Sequence, residues 1–566
     1  RGPFVAALGL LLLLTLLHAA GLALFTSGFL LQRVELTEQT TCTRPGNALW
    51  SVPAPPAGAA DGDSEALRAW DALLEEHAEC TLPPRFKRAV VWIVDALRYD
   101  FLADALPGNG STPNVYMHNL LRTPAERTRH VPRGSFLAHF VADPPTTTLQ
   151  RLKGLTTGSL PTFIEAGANF GGAGRVREDT WIGQLRERAL AARGNATGGM
   201  TFVGDDTWQM VFASLFDEAW PYSSFNVEDL DTVDAGVEQR MLHAMEQPDW
   251  TLIVAHSLGV DHVGHRFGPA HARMPPKLQQ MDELVQKVLD RLDDETLFVF
   301  LGDHGMDATG DHGGDSELEI GSALWMHATR PFDPDGTHST QPLSDDADVD
   351  ALLRADTPVP AFQSFTPLPV APDARGHRSL PQIDLVPTLS LLLGVPIPFN
   401  NLGTVLPEAF TSDTTPLGQH SARLLRALRI NARQVHTYLE AYAARSADLT
   451  PFQTELHDLW VAALKADAHA ASLEYTRKAA AAARTDAARA ASEAYLRFLR
   501  VALHRARSVW AQFDTRRIAV GFALFLAAMA STALLWRHVM AEPLQVLAQR
   551  VLLAAGKAAA VSAGLA

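Results

Sequence analysis

Cysteine is scarce in this chain. Among 566 residues only Cys42 and Cys80 occur, so the choice is one disulfide or two free thiols. Basic side chains are outnumbered, 48 Lys and Arg against 63 Asp and Glu, for a net charge of −15. A phosphate backbone is bound by clustered Lys and Arg, so the expectation is no nucleic-acid partner. No internal repeat is found. With 47% hydrophobic and 20% charged residues, the composition is that of a globular protein with membrane-embedded parts, not of a disordered chain. The length exceeds one ordinary core, which predicts one large domain with appendages.

Charge is missing altogether from residues 4–31, "FVAALGLLLLLTLLHAAGLALFTSGFLL". A helix crosses the roughly 30 Å hydrocarbon core with about 20 apolar residues. The run is too long for a typical signal-peptide core, and no small-residue cleavage site follows it. It predicts a transmembrane helix. Residues 518–536, between Arg516-Arg517 and Arg537-His538, predict a second, and 543–566 the start of a further membrane segment. The first residue is not Met and the last lies in apolar sequence, so a longer polytopic protein is expected. Arg33 and Arg516-Arg517 give no strong positive-inside signal. Asn-x-Ser/Thr triplets at Asn109 and Asn195 fit a luminal segment between the membrane helices.

Residues 32–87 read as a luminal linker that includes the Pro/Ala/Gly-rich "SVPAPPAGAADGD". From Arg88 the pattern changes. "RAVVWIVDALR", "GGMTFVGDD", "DWTLIVAHS" and "ETLFVFLGDHG" are short apolar runs that stop abruptly at polar residues, with helical spacing between them. Such runs predict an α/β domain over 88–410, a mostly parallel central sheet covered by helices on both faces. Ligands of open sheets bind beyond the carboxyl ends of the strands, where these runs place Asp95, Asp205, His256 and Asp303. Residues 331–372, rich in Pro, Asp and Ser, predict a surface insertion. The Ala-rich stretch 411–515 predicts luminal helices leading to the membrane.

Three segments carry metal-type ligands at strand ends. Asp95 lies in "IVDALR"; Asp261 and His265 lie four apart in "HSLGVDHVGH", on one face if helical; Asp303, His304 and His312 lie in "GDHGMDATGDHGG". Mixed Asp and His donors suit zinc, with manganese second. Six ligands divide into two sites of three, and two ions about 4 Å apart suit an in-line phosphoryl displacement. Ordinary strand-end turns and satisfied histidines are the competing reading. The nucleophile is sought in "ADPPTTTLQRLKGLTTGSLP", where Thr146, Thr147 and Thr148 precede a helical pattern. A hydroxyl there could cap the helix, or meet a phosphate drawn to the helix N-terminus.

Taken with "FVGDDTW", "SFNVEDLDTVD", "GVDHVGHRFGP", "GDHGGDSELE" and "QIDLVPTLSLLLGVPIPFNNLG", these motifs resemble the alkaline phosphatase superfamily, in its glycosylphosphatidylinositol (GPI) ethanolamine phosphate transferase branch. The likeness is greatest to members that modify the third mannose of the GPI precursor, and runs from the first apolar segment to about Gly403. It implies an alkaline-phosphatase-like fold with two zinc ions, one held by Asp95, Asp303 and His304 with the nucleophile, the other by Asp261, His265 and His312. The family's layout places the nucleophile ten residues before Gly158, at Thr148, with Thr146 the alternative. His262 inherits no role beyond orienting a neighbour. The resemblance further implies phosphatidylethanolamine as donor, a mannosylated GPI lipid as acceptor, an endoplasmic reticulum membrane setting with the catalytic domain luminal, and a small membrane-protein partner subunit. A membrane-anchored phosphodiesterase that passes the group to water, a transferase for another mannose, and an inactive scaffold are the rival expectations.

Overall fold

The computed structural model describes residues 2–29, 33–46, 52–77, 79–102, 120–131, 133–161, 176–194, 197–212, 214–332, 378–410, 420–476, 479–510, 515–541 and 553. Asn109, Asn195, most of the insertion expected over 331–372 and nearly all of 543–566 lie outside the described residues. The chain divides into two compact units. One comprises Arg1–Arg33, Thr162–Ile164 and Gln512–Ala566, the other Val34–Pro161 and Glu165–Ala511.

In the smaller unit, the helices Gly2–Phe29 and Thr515–Ala541 pack against each other, and both are long and apolar enough to cross a membrane. Their crossing depends on two glycines. A Cβ on Gly521 would sit 2.7 Å from the Gly21 carbonyl oxygen and 2.4 Å from Phe25 N, so only hydrogen fits between the backbones.

The larger unit is built on an eight-stranded sheet: β1 (Arg88–Val94), β2 (Ser135–Val141), β3 (Met200–Asp205), β4 (Glu218–Tyr222), β5 (Leu252–Ser257), β6 (Thr296–Leu301), β7 (Gly321–His327) and β8 (Ser379–Pro381). Their order is β4-β3-β5-β1-β6-β7-β2-β8. Every pair is parallel except β6–β7 and β7–β2, so β7 alone runs against the rest. The unbroken apolar runs follow from burial on both faces. Along β1, Ala89, Val91 and Ile93 enter one core while Val90, Trp92 and Val94 enter the other. On the second face lie the helices Thr232–Met245 and Met274–Leu289, through Met241, Leu284 and Val288.

The first face is covered by Leu385–Leu392 and by the long helices His420–Ala443, Gln453–Tyr475 and Ala481–Trp510. Their stripes, with Tyr438, Trp460, Leu496 and Trp510, belong to the same continuous core as the sheet. Buried ion pairs reach across it: Arg507 grips Asp143 through two bonds of 2.6 and 3.0 Å, and Arg500 meets Asp384 at 2.7 Å. Residues 34–46 lie along this unit too, held by a Cys42–Cys80 disulfide and by Asp179, which accepts the Thr40 N–H at 2.9 Å. The sheet register aligns Ile93 of β1 with His256 of β5 and Leu301 of β6. Three central strands therefore end side by side, which brings Asp95, His256 and Asp303 to one edge.

Candidate metal and nucleophile site

Asp95 directly follows β1. The next residue, Ala96, takes φ +56, a left-handed conformation that costs a non-glycine residue about 1–2 kcal/mol. In that conformation its N–H donates to Asp303 Oδ1 at 3.2 Å, tying the ends of β1 and β6 together. Gln382 supports the same loop by donating to the Asp303 carbonyl oxygen at 2.6 Å.

The hydrogen bonds of His304 decide what it can offer. Its Nδ1 donates to the Gly305 carbonyl oxygen at 2.9 Å, which leaves a lone pair on Nε2. That lone pair lies 3.4 Å from Asp95 Oδ1 and 3.3 Å from Asp303 Oδ2. All three atoms are buried and lack a hydrogen-bond partner. Three acceptors facing one another repel unless positive charge lies among them. Burial and the charge of nearby His312 push the His304 imidazole down to about 3, so it stays a neutral ligand. Burial also opposes ionisation of Asp95, but the surrounding imidazoles, His256 foremost, hold it well below the usual carboxylate range. Burial and the Asp95 charge hold Asp303 well above that range. Two bare carboxylates are not stable here side by side.

A second set forms on the helix Gly259–Phe267. Asp261 and His265 are one turn apart, with Nε2 3.4 Å from Oδ1. Asp234 anchors the start of this helix by accepting the N–H groups of Leu258 and Gly259 at 3.1 and 3.2 Å, an approach that a Cβ on Gly259 would block. His312 donates its Nδ1–H to the Thr146 carbonyl oxygen at 2.9 Å, and His265 directs its Nδ1 at Asp311 Oδ1, 3.3 Å away. The two Nε2 atoms stand 3.0 Å apart, and His312 Nε2 is 3.3 Å from Asp261 Oδ1. Burial lowers the His312 pKa, but the hydrogen bond and charge of Asp261 prevail and carry it up to about 10. The ligand atoms of Asp261, His265 and His312 lie within 4.8 Å of one another, as a divalent ion requires. The His304 and His312 rings stack with centroids 4.0 Å apart, so the two sets adjoin. Converging nitrogen and oxygen donors, several of them orphaned and buried, fit two divalent cations of the zinc or manganese kind.

The three threonines separate by their partners. Thr146 is fully buried; its hydroxyl donates to the Gly314 carbonyl oxygen and accepts the Gly313 N–H, both at 2.9 Å. Thr147 occupies the N-cap position of the helix Thr148–Thr157 but spends its hydroxyl on Gln150 Oε1 and not on a backbone N–H. Thr148, the first residue of that helix, has its Oγ1 3.4 Å from Asp95 Oδ2. The helix ends at Gly158, φ +72, where a Cβ would lie 2.1 Å from Asn401 Oδ1. His262, between two of the expected ligands, turns away from them. Its Nδ1 and Nε2 lie 2.7 and 3.2 Å from the carbonyl oxygens of Asp229 and Ser224, pinning that loop.

Asp261, His265 and His312 form one compact cluster; Asp95 and Asp303 cluster with His256, and His304 Nε2 stands 3.4 and 3.3 Å from their oxygens. His256, at a strand end in the sequence, lies outside the expected ligand set yet belongs to the site. Its Nε2 is 3.4 Å from Asp95 Oδ2, and with Asp95 and Asp303 it too forms a compact cluster. Trp208 Nε1 donates to His256 Nδ1 at 3.0 Å, so the neutral ring carries its proton on Nε2 and offers Asp95 an N–H, not a lone pair. Burial lowers the His256 pKa, while the contact with Asp95 and the charges of Asp205, Asp95 and Asp303 carry it up to about 9. A second proton would face the indole N–H donor to donor, and a bound cation would cancel part of that carboxylate field. The neutral form is the one this geometry favours.

Residues 176–329 match the family described as type I phosphodiesterase / nucleotide pyrophosphatase, a span that holds every expected ligand except Asp95. GPI ethanolamine phosphate transferase 3, catalytic subunit, of Mus musculus is 39% identical over 523 residues, covering 90% of this chain and 41% of the mouse protein. GPI ethanolamine phosphate transferase 3 of Schizosaccharomyces pombe is 40% identical over 430 residues, covering 76% and 38%. The chain therefore spans about two fifths of the length of these curated relatives. Among solved structures, a protein in the alkaline phosphatase superfamily from Vibrio parahaemolyticus overlays with a TM-score of 0.34 and 12% identity, covering 57% of this chain and 70% of that one. By its sequence matches, the chain is a relative of the type 3 GPI ethanolamine phosphate transferases, within the alkaline phosphatase superfamily.

Proposed function

We propose that the chain transfers phosphoethanolamine from phosphatidylethanolamine to the third mannose of a GPI precursor, through a covalent intermediate on Thr148. The observation that carries this reading is the meeting of Thr148 Oγ1 with Asp95 Oδ2 beside two converging sets of orphaned ligand atoms. Asp95, Asp303 and His304 would hold one ion, and Asp261, His265 and His312 the other. Bound there, two divalent cations would polarise the phosphoryl oxygens and acidify the two attacking hydroxyls. Thr148 Oγ1, its hydroxyl so acidified, attacks phosphorus and gives up its proton; the phosphorus–oxygen bond to diacylglycerol breaks, and one proton ends on that leaving alcohol. The N–H groups opening the helix Thr148–Thr157 face the growing negative charge. In the second step the mannose hydroxyl attacks the same phosphorus, and Thr148 leaves and regains its proton.

The two apolar helices suit an enzyme whose donor and acceptor are both lipids. The Cys42–Cys80 disulfide supports an oxidising compartment, in keeping with a luminal catalytic unit at the endoplasmic reticulum. The mouse relative's name, catalytic subunit, supports assembly with a further subunit.

The deciding experiment incubates the purified chain with phosphatidylethanolamine labelled in its head group, with and without a mannosylated GPI acceptor. A labelled peptide containing Thr148, discharged onto the third mannose, is the expected result. Release of free phosphoethanolamine alone would replace transfer by hydrolysis, and label on another mannose would change the acceptor assignment.

A further inference from the structure

The bond between Trp208 and His256 lies outside the ligand sets, yet it points at their most shared member. Asp95 has two oxygens with different tasks. Oδ1 faces His304 Nε2 at 3.4 Å, whereas Oδ2 faces both Thr148 Oγ1 and His256 Nε2, each at 3.4 Å. If the carboxylate turned about its last bond, the two oxygens would exchange and both relationships would be lost.

We infer that Trp208 and His256 form a positioning pair that fixes the Asp95 carboxylate, with His256 serving as an N–H donor and not as a metal ligand. This rests on the reading of Asp95 as a ligand. An indole nitrogen can only donate, so the ring nitrogen 3.0 Å from it must accept, and the single proton of a neutral imidazole is left on Nε2. Asp205 Oδ2, which would favour the opposite tautomer, stands 3.8 Å from Nδ1, beyond hydrogen-bond reach, and Asp205 Oδ1 accepts the Thr207 N–H at 2.8 Å. The donor itself is rigid. Trp208 is buried and packed against Phe202, Phe212 and Phe216, with ring centroids 5.7, 5.2 and 6.1 Å away. His256 is held by the ladder that pairs it with Ile93, two residues before Asp95. The N–H thus faces Oδ2 from a fixed strand at 3.4 Å, a contact not aligned as a formed hydrogen bond, and favours this orientation of Asp95 over the flipped one.

The test measures zinc stoichiometry and affinity by chelator competition on the intact chain, with four variants. His256→Gln keeps an N–H near the position of Nε2, His256→Ala removes it, Trp208→Phe removes the indole donor, and Asp95→Ala removes the carboxylate. Loss of such a buried outer partner typically weakens metal binding about 10–100-fold. The expected result is that weakening for one of the two ions in His256→Ala, an intermediate loss in Trp208→Phe, near-parental binding in His256→Gln, and an unchanged second ion throughout. Parental affinity in His256→Ala or in Trp208→Phe overturns the inference. So does a His256→Gln chain as weak as His256→Ala, because that result marks a ligand instead of a donor. If His256→Ala does not fold, the Gln and Trp208→Phe variants carry the same contrast. Asp95→Ala separates the two readings: if it still binds both ions, the assignment of Asp95 as a ligand fails, whatever His256 does.

Discussion

The carbonyl oxygen of Thr146 accepts a hydrogen bond from His312 Nδ1 at 2.9 Å, which turns the opposite ring nitrogen toward Asp261. One threonine thus orients an expected ligand, and a second, Thr148, faces Asp95.

Replacing the two should therefore have different consequences. Thr148→Ala should abolish the covalent phosphoethanolamine adduct and lower transfer by at least roughly 10³-fold, with folding intact. Thr146→Ala removes the buried hydroxyl that bridges the Gly313 N–H and the Gly314 carbonyl, both partly open to solvent, and should cost about 1 kcal/mol of stability. It should still form the adduct. Mass spectrometry of the trapped peptide, alongside thermal melting, reads both outcomes.

Removing the ions should destabilise the folded chain, because the folded state alone brings Asp261, His265 and His312 close enough to bind an ion. At an ion concentration about 1,000 times Kd, binding adds roughly 4 kcal/mol, so a chelator should lower the melting temperature by several degrees. Elemental analysis should find two ions per chain, one lost in His304→Ala and the other in His265→Ala. A melting curve that ignores the chelator would contradict this.

Reduction of Cys42–Cys80 should loosen the segment around residues 34–46. The bridge closes a loop of 38 residues, for which chain entropy predicts roughly 4 kcal/mol of stabilisation. Cys42→Ser should lower the midpoint of denaturant unfolding, and reductant should do the same to the parent but leave the variant unchanged.

Acid should weaken the fold through two histidines away from the ligands. Burial lowers the His139 and His327 pKa values from 6.5 to about 4 each. These groups have depressed folded-state pKa values, so the unfolded chain binds more protons and stability is lost as pH falls from about 6.5 to about 4. Each shift of about 2.5 units corresponds to roughly 3 kcal/mol. Urea midpoints measured across that window should fall, and the fall should be shallower in His327→Gln.

Much of this site could be read from residue types alone. An Asp or His that abruptly ends a buried apolar run has few uses besides chemistry, and Asp261 and His265 declared themselves by helical spacing. What spacing could not supply was direction. Three adjacent threonines look alike in sequence and differ only in partners contributed by Gly314, Gln150 and Asp95. His256 and Asp205 both end strands, and the distant Trp208 is what sets the proton on the imidazole. The Ala-rich helices announced themselves by periodicity, but their packing against the sheet depends on pairs such as Arg500–Asp384, whose members are far apart in the chain. The reversed strand β7 has the same continuous burial as its parallel neighbours, so nothing local marks its direction.

The grip of Arg507 on Asp143 reaches beyond packing. Asp143 opens the short loop that delivers Thr148, and its counter-charge comes from the last helix of the larger unit, long after every expected ligand has been supplied. A polypeptide stopped at residue 410 would contain all the reactive groups yet strip a buried carboxylate of its guanidinium, a defect of about 3–5 kcal/mol. During synthesis, competence would therefore wait on this late helix, which acts as a latch closing over chemistry already encoded upstream.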